Sequence, residues 1–447
     1  MLGVISNCWA LFLGLGLIML GNGLQGSLLG VRASMEGFST SITGLIMAGY
    51  FLGLIAGCLY VPKLIGRVGH IRIFGALASL ASTSILVHAI FVEPLVWWAM
   101  RIVTGFAYAG LYIVAESWLN ESSENDTRGQ LLSFYMLVSL GGMAGGQLLL
   151  NVATPDGYDL FVLVSLLVSL AVIPILVSVA KVPSFDTPEN ISILQLYRVS
   201  PLGVMGMFIT GIAMGSIFGM GAVYATGIGM SVKEVSFFMG ALIVGGFLFQ
   251  YPIGWLSDRI GRRKVIIFSC IGGAAIAFFA MTYSGEGLLG FIVVATVGGM
   301  SMPLYSLCGA HTNDYLSPTQ MVAASGTLVL VNAIGATLGA PITAFAMDFI
   351  GPHAFYGSIG VMLSLVAAFA LWRSTQRAAI DAQDQGEFVV MTASPMSVSL
   401  TQDVELDDIE TATDFNAEEV QSSFAELVEE LAKPETDEPS DKYPAKE

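Results

Sequence analysis

Two ionisable side chains, Arg101 and Glu116, lie in a stretch of sequence that is otherwise almost entirely apolar. Burial among apolar neighbours disfavours the charged form of a carboxyl group, so Glu116 can take up a proton and release it again. The two residues are fifteen positions apart, more than about 20 Å along a helix, and therefore cannot pair with each other. We predict that Glu116 carries a proton. The alternative is that Glu116 lies close enough to a helix end to be wetted.

A second concentration of charge is GWLSDRIGRR, residues 254–263, in a chain that is only 12% charged. Arginines in a short connection between membrane helices hold it at the membrane surface. Anchoring does not explain Asp258, which can pair with a basic group or a helix N-terminus in one conformation and lose that partner in another. We predict a conformational latch made of Gly254, Asp258, Arg259, Gly261, Arg262 and Arg263.

The composition indicates a membrane protein with an acidic tail. The 447 residues are 55% hydrophobic, whereas soluble domains carry about 25% charged residues, twice the fraction found here. The net charge of −16 is uneven, because residues 377–447 hold 19 acidic and 4 basic residues. We expect the tail, residues 376–447, to be cytoplasmic and disordered.

Long apolar runs predict twelve transmembrane helices, since each is close to the ~20 residues that cross a bilayer. Eleven lysines and arginines fall in one set of connections and two in the other, which predicts cytoplasmic N- and C-termini. The predicted spans are roughly 4–30, 39–62, 71–92, 95–119, 129–152, 158–180, 201–226, 231–256, 264–283, 287–312, 321–346 and 354–374.

Weak internal matches predict that the chain is duplicated. LYIVAESWLNE (111–121) matches LYSLCGAHTND (304–314) at an offset of 193, and RVGHIR (67–72) matches RIGRRK at 192. Gly141 and Gly145 match Gly335 and Gly339 at 194. The predicted organisation is a six-helix half (1–180), a cytoplasmic linker (181–200), a second six-helix half (201–375) and the tail.

Twelve spans in two related sixes, with G-x-x-x-D-R-x-G-R-R between spans 8 and 9, resemble the major facilitator superfamily of secondary transporters. The resemblance covers residues 1–376. The first-half copy, PKLIGRVGHIR (62–72), is degenerate, with Pro62 and Gly66 at the Gly and Asp positions, but its Arg67 and Gly69 join the predicted latch. VAESWLN further resembles the YcaD-like branch of the superfamily.

The resemblance implies an all-α fold with a central cavity and candidate residues that bind substrate there. Arg101 resembles the arginine of the span 4 signature, and span 1, which carries Asn22 and Gln25, lines the cavity in this superfamily. Several alternatives remain open: the amides can instead join helices, Arg101 can be neutralised by backbone carbonyls, and His311 can be structural. The predicted substrate-binding residues are Asn22, Gln25, Arg101, Tyr112, Gln147, Tyr305, His311 and Asn332.

The predicted function is secondary active transport of a small solute by alternating access, coupled to protons, in a bacterial inner membrane. No nucleophile cluster, metal-ligand spacing or phosphate loop is visible, so we expect neither an enzyme nor a cofactor, metal or nucleic-acid partner. The bilayer is the expected environment, and no partner is assigned to the tail. The alternative is a transporter-like sensor that signals through the tail. Deleting residues 376–447 would separate the two, because a transporter keeps its flux.

Overall fold

The computed structural model describes residues 8–121, 125–177, 191–283 and 287–377, together with 380, 385, 386 and 388. Almost all of this part of the chain is α-helical. The first six helices, α1 to α6, are Trp9–Met35, Thr40–Val68, His70–Ile90, Pro94–Glu121, Asn125–Leu149 and Asp159–Val177. A short helix α7, Ile193–Val199, precedes the second half. Helices α8 to α14 are Pro201–Gly227, Val232–Ile260, Arg262–Thr282, Leu288–Ser301, Pro303–Asn313, Pro318–Ile350 and Ala354–Ser374.

Eleven segments of the described chain are long and apolar enough to cross a membrane, so this is a multi-pass membrane protein. Helices α11 and α12 together form one of the eleven, interrupted at Met302 just before Pro303 begins α12. The predicted fifth span, 129–152, coincides with α5, which packs along α1 but is not among the eleven. The fifth span therefore stays a prediction.

The short connections define the two ends of the bundle. Gly69 between α2 and α3 and Gly261 between α9 and α10 lie at what we call the motif end; the other we call the opposite end. Each of these glycines has a positive φ, +89° and +94°, which allows one helix to stop and the next to start within a single residue. Both copies of the predicted latch thus keep the glycine on which the turn depends.

The two halves repeat the same close helix contacts. A Cβ atom on Gly105 of α4 would overlap the carbonyl oxygen of Tyr50 in α2, and one on Gly298 of α11 would overlap that of Leu242 in α9. Gly298 follows Gly105 by 193 positions, and Leu242 follows Tyr50 by 192. Contacts this close need small residues, because any side chain would separate the backbones.

A second repeated contact corrects the register of the predicted duplication. Gly146 of α5 faces the carbonyl of Leu20 in α1, and Gly339 of α13 faces that of Ile212 in α8. The glycine that matches Gly339 is therefore Gly146, at an offset of 193. Gly141, one of the two glycines that the sequence pairing used, has no atom within 4 Å of a Cβ built on it. The sequence pairing is wrong by one residue because glycines are adjacent on this helix and only the rotation of α5 selects between them.

Contacts between the halves lie at the opposite end of the bundle. Ser41 at the start of α2 donates from its backbone N–H to Asp348 Oδ2 near the end of α13, at 3.1 Å. Asn151, just after α5, donates to Ser236 Oγ in α9 at 2.9 Å, and Ser236 donates to the carbonyl of Gln147 at 2.6 Å. A Cβ on Gly30 of α1 would lie 3.1 Å from Ala222 Cβ in α8. The halves are thus closed against each other at this end.

The linker and the tail are described only in part. Residues 181–190 of the linker and 391–447 of the tail lie outside the described residues, as do residues 1–7 before the first helix. Helix α7 lies within the predicted linker, and Thr327 Oγ1 of α13 donates to the carbonyl of Ile191 at 2.6 Å. The linker therefore contacts the second half, through α13.

Candidate functional site

A cavity of about 290 Å³ lies between the two halves. Its wall comes from α1, α2, α4 and α5 in the first half and from α8, α9, α12 and α13 in the second, together with Met302. Six methionines contribute, which are apolar and easily rearranged. Among the lining residues only Arg101 and Glu116 are charged. The methionines are Met19, Met136, Met143, Met214, Met239 and Met302.

Six of the eight predicted substrate-binding residues line this cavity: Asn22, Arg101, Tyr112, Gln147, Tyr305 and Asn332. Gln25 and His311 do not. Gln25 is buried, but it lies three residues after Asn22 and is therefore turned by about 60° around α1. His311 lies in the last turn of α12, where its ring packs against Tyr315 with centroids 5.3 Å apart.

The amides in the cavity wall are already hydrogen-bonded within the protein. Asn22 Nδ2 donates to Tyr112 Oη at 2.7 Å, which joins α1 to α4. Gln147 Nε2 donates to the carbonyl of Gly23 at 2.8 Å, and its Oε1 accepts from Ser27 Oγ. Asn332 Nδ2 donates to the carbonyl of Met207 at 3.0 Å. The alternative that an amide joins helices, raised for Asn22 and Gln25, is thus supported for Asn22, and Gln147 and Asn332 join helices in the same way.

Glu116 accepts a hydrogen bond from a tyrosine of the next helix. Its side chain is fully buried, and Tyr135 Oη donates to its Oε1 at 2.6 Å. Sequence reasoning missed Tyr135. The signal available was its position in the first turns of the next span, at the same end of the bundle as Glu116, where a hydroxyl can meet a carboxylate.

Arg101 lies in the first half of α4, away from Glu116. Its guanidinium carbon is 4.7 Å from the centroid of the Tyr50 ring, a cation–π distance. Tyr50 was also missed, because a tyrosine in an apolar helix gives no sequence signal for which face it occupies. Among the described residues, no group of three or more His, Cys, Asp or Glu side chains can hold a metal ion.

Comparison with known proteins agrees with this architecture. The sequence profile described as Major Facilitator Superfamily matches residues 11–246 and 203–404. The chain belongs to the major facilitator superfamily. Membership makes it a membrane transporter of small molecules rather than an enzyme, and confirms the family predicted from the latch motif.

Curated relatives within the superfamily are transporters of the same branch that the sequence indicated. The MFS-type transporter YcaD of Escherichia fergusonii is 31% identical over 341 residues, which cover 75% of this chain and 87% of the relative. YcaD of Escherichia coli strain S88 is 30% identical over the same coverage.

Solved structures of superfamily members share the fold at low sequence identity. A D-xylose-proton symporter aligns with a TM-score of 0.67 at 14% identity, over 85% of this chain and 99% of that protein. The nucleoside transporter NupG aligns with a TM-score of 0.64 at 15% identity, over 82% and 98%. A bacterial homologue of the human lysosomal transporter Spinster, inward-facing and unoccupied, aligns with a TM-score of 0.65 at 13% identity, over 86% of this chain and 98% of that protein. At these identities the likeness is one of fold.

The superfamily motif between α9 and α10 is held by a buried ion pair. Arg262 Nε donates to Asp314 Oδ2 at 2.7 Å, and both side chains are almost completely buried. Burial raises the pKa of the Asp314 carboxyl, and the Arg262 guanidinium acts in the opposite direction. Arg262 also approaches Asp258, with Nη1 and Oδ1 3.7 Å apart.

The other arginines of the predicted latch make separate contacts. Arg259 stacks on the ring of Trp255 at 3.9 Å. Arg263 Nη1 donates to the carbonyl of Arg377 at 2.6 Å. In the degenerate first-half copy, Arg67 is exposed and precedes Gly69.

Described residues of the predicted tail beyond Arg377 contact the same loop. The backbone N–H of Arg262 donates to Gln385 Oε1 at 3.3 Å, and its guanidinium donates to the carbonyl of Gly386. A Cβ on Gly254 would overlap the ring of Phe388, so the glycine makes room for that ring. Ile380 completes this short described stretch and accepts from Gln385 Nε2 at 2.9 Å. The motif loop is therefore partly covered by the chain that follows α14.

Proposed function

We propose that this protein is a proton-coupled secondary active transporter of a small solute in a bacterial inner membrane, and that it works by alternating access. The observation that carries the proposal is a cavity between two repeated halves whose wall contains a buried carboxylate, Glu116. The relatives in Escherichia support the bacterial membrane. The residues that line the cavity are proposed to contact the solute, with the amides of Asn22, Gln147 and Asn332 in addition fixing the helices around it.

The contacts between the halves support alternating access. They lie at the opposite end of the bundle, where Ser41 meets Asp348 and Asn151 meets Ser236. With the motif end in the cytoplasm, as the distribution of lysine and arginine predicts, this conformation is closed toward the outside. Transport then requires these contacts to break while the latch residues around Arg262 form contacts across the motif end.

Glu116 supports proton coupling because it combines burial with a defined hydrogen bond. A buried carboxylate is costly unless it is paired or protonated, and the hydrogen bond that Tyr135 Oη donates to Oε1 stabilises the charged form. When the halves rock, a change in the wetting of Glu116 would change its proton occupancy. The solute and the proton share one cavity, so the occupancy of one can depend on the other.

Glu116→Gln tests the proposal in proteoliposomes. The solutes are compounds from a metabolite panel that raise the melting temperature of the purified protein. Uptake or efflux driven by a pH gradient should fall at least tenfold in Glu116→Gln, whereas solute exchange without a gradient should continue, since exchange needs no net proton movement. Glu93→Gln, the same change at an exposed residue, should keep both. Gradient-driven transport that survives in Glu116→Gln removes Glu116 from the mechanism.

A further inference from the structure

The guanidinium of Arg101 is a buried cation without an anionic partner. The residue is 6% exposed and lines the cavity. No carboxylate oxygen lies within 4.0 Å of its side-chain nitrogens among the described residues. Its Nε is buried and has no hydrogen-bond acceptor in the same part of the chain. A buried arginine is normally paired with a carboxylate or with several acceptors.

Neither of the groups that could compensate this charge does so. Glu116 is on the same helix but about 22 Å farther along it, at 1.5 Å per residue. The Tyr50 ring, 4.7 Å from the guanidinium carbon, offers a cation–π contact, which is weaker than an ion pair and supplies no acceptor in the plane of the Nε–H group. Backbone carbonyls, the structural alternative for Arg101, do not accept from its Nε. The cavity therefore contains a positive group whose acceptors must come from outside the protein.

The rest of the wall indicates what such an acceptor is attached to. The amides that would suit a sugar already donate hydrogen bonds within the protein, Asn22 to Tyr112 and Asn332 to the carbonyl of Met207. The remaining surface is mainly apolar, with the six methionines, Phe51, Leu54 and Phe218. Flexible methionine side chains adapt to apolar groups of different shape. A volume of about 290 Å³ is at the small end of the range for ligand pockets.

We infer that the substrate is a small amphipathic organic anion, with its carboxylate or similar group at Arg101 and its apolar body along the methionine-rich wall. This inference rests on the proposed function, since it takes the cavity to be the substrate site. It assigns Arg101 to recognition of substrate charge and leaves proton coupling to Glu116. A cationic substrate is excluded from the Arg101 position by like-charge repulsion.

Matched pairs of carboxylates and primary amides test the inference directly. The probes are 4-phenylbutyrate with 4-phenylbutyramide, octanoate with octanamide, and indole-3-acetate with indole-3-acetamide. Each is titrated into the full-length protein in detergent at pH 7.5 by calorimetry. At least one carboxylate should bind tenfold or more tightly than its amide, because only the carboxylate makes charge-assisted bonds. Arg101→Gln should reduce that carboxylate to the affinity of its amide, whereas Arg72→Gln, at an exposed arginine, should not. Equal binding within every pair, or no binding by any carboxylate, overturns the inference.

The stability of the ligand-free protein provides a second test. Removing Arg101 should stabilise the protein if the residue binds substrate and destabilise it if the residue is structural. Arg101→Met removes an uncompensated buried charge while keeping an apolar stem, so its melting temperature without ligand should rise. A fall would mean that Arg101 holds the fold together, and would overturn its assignment to substrate.

Transport measurements separate this inference from the proposed function. If a carboxylate binds through Arg101 but is not moved by a pH gradient in proteoliposomes, the proposed coupling fails and the anion site stands. If a neutral solute is transported with proton coupling, and carboxylates neither bind nor compete, the inference fails and the proposed function stands.

Discussion

The two halves carry different residues at matching positions of their repeated helices. Arg101 lies one helical turn before Gly105 in α4, whereas Val294 lies one turn before the matching Gly298 in α11. Eleven residues after the same two glycines stand Glu116 and Gly309. The halves thus repeat the backbone contacts that bring α2 to α4 and α9 to α11, but only the first half places charges in the cavity wall.

At the motif end the asymmetry is reversed. The second half buries the ion pair between Arg262 and Asp314. The equivalent turn of the first half has His70 in place of Arg262, and His70 Nε2 lies 3.0 Å from Ser117 Oγ in a neutral hydrogen bond. Repeated glycine contacts fix the positions of the helices, and side chains at the repeated positions are then free to diverge. We therefore expect solute and proton chemistry in the first half and the control of conformation at the motif end of the second.

Breaking the ion pair should have the largest effect on stability. Asp314→Leu leaves Arg262 buried without its carboxylate, and removal of one partner of a buried pair costs about 3–5 kcal/mol. The double variant Asp314→Leu with Arg262→Met should recover most of the loss, because neither charge then remains. Thermal melting in detergent measures both.

The matched change in the first half should cost much less. Ser117→Ala removes the partner of His70, and loss of one neutral hydrogen bond costs about 1 kcal/mol. If Ser117→Ala and Asp314→Leu destabilise equally, the asymmetry between the two motif-end turns has no energetic basis.

The repeated glycines should be equally intolerant of substitution in both halves. Gly105→Ala and Gly298→Ala each force a methyl group into a backbone carbonyl, and overpacking of this kind costs about 1–3 kcal/mol. Gly75→Ala is the control, because a Cβ on this helical glycine meets nothing within 4 Å, and alanine favours the helix by up to ~1 kcal/mol. Yield of monodisperse protein and melting temperature report the difference. Tolerance of Gly298→Ala alone would show that the two contacts are not equivalent.

The sequence predicts the helices and the duplication well because these depend on local properties. Length and hydropathy alone identify eleven of the twelve predicted spans, and the offset of 193 between α4 and α11–α12 appears again in the Gly105 and Gly298 contacts. The register between Gly146 and Gly339 could not be predicted, since it depends on how α5 is rotated against α1.

The sequence predicts the cavity-lining residues that are charged, because a charged side chain in a membrane helix cannot face lipid. Arg101 and Glu116 cannot face lipid, so their inward position follows from chemistry. Tyr50, Tyr135 and the methionines are tolerated on any face of a membrane helix, and their sequence gives no preference. Gln25 was predicted in the cavity but does not line it. A polar residue in a membrane span can also avoid lipid by lying between helices, and the sequence does not distinguish the two positions.

Substitution of Asp258 should slow transport while changing stability less than any of the other substitutions above. Its side chain is 39% exposed and lies 3.7 Å from Arg262, and a pair of this kind contributes no more than about 1 kcal/mol. The free energy of unfolding of Asp258→Asn should therefore lie within about 1 kcal/mol of the wild-type value. The variant should bind a ligand found by thermal shift with unchanged Kd. Its transport should nevertheless slow severalfold, because the latch needs the charge in only one of the two conformations. Asp159→Asn, at an exposed carboxylate near the opposite end, is the control. A weakened Kd with normal turnover would place Asp258 in solute binding, and the division between a first half that recognises and a second half that latches would then be wrong.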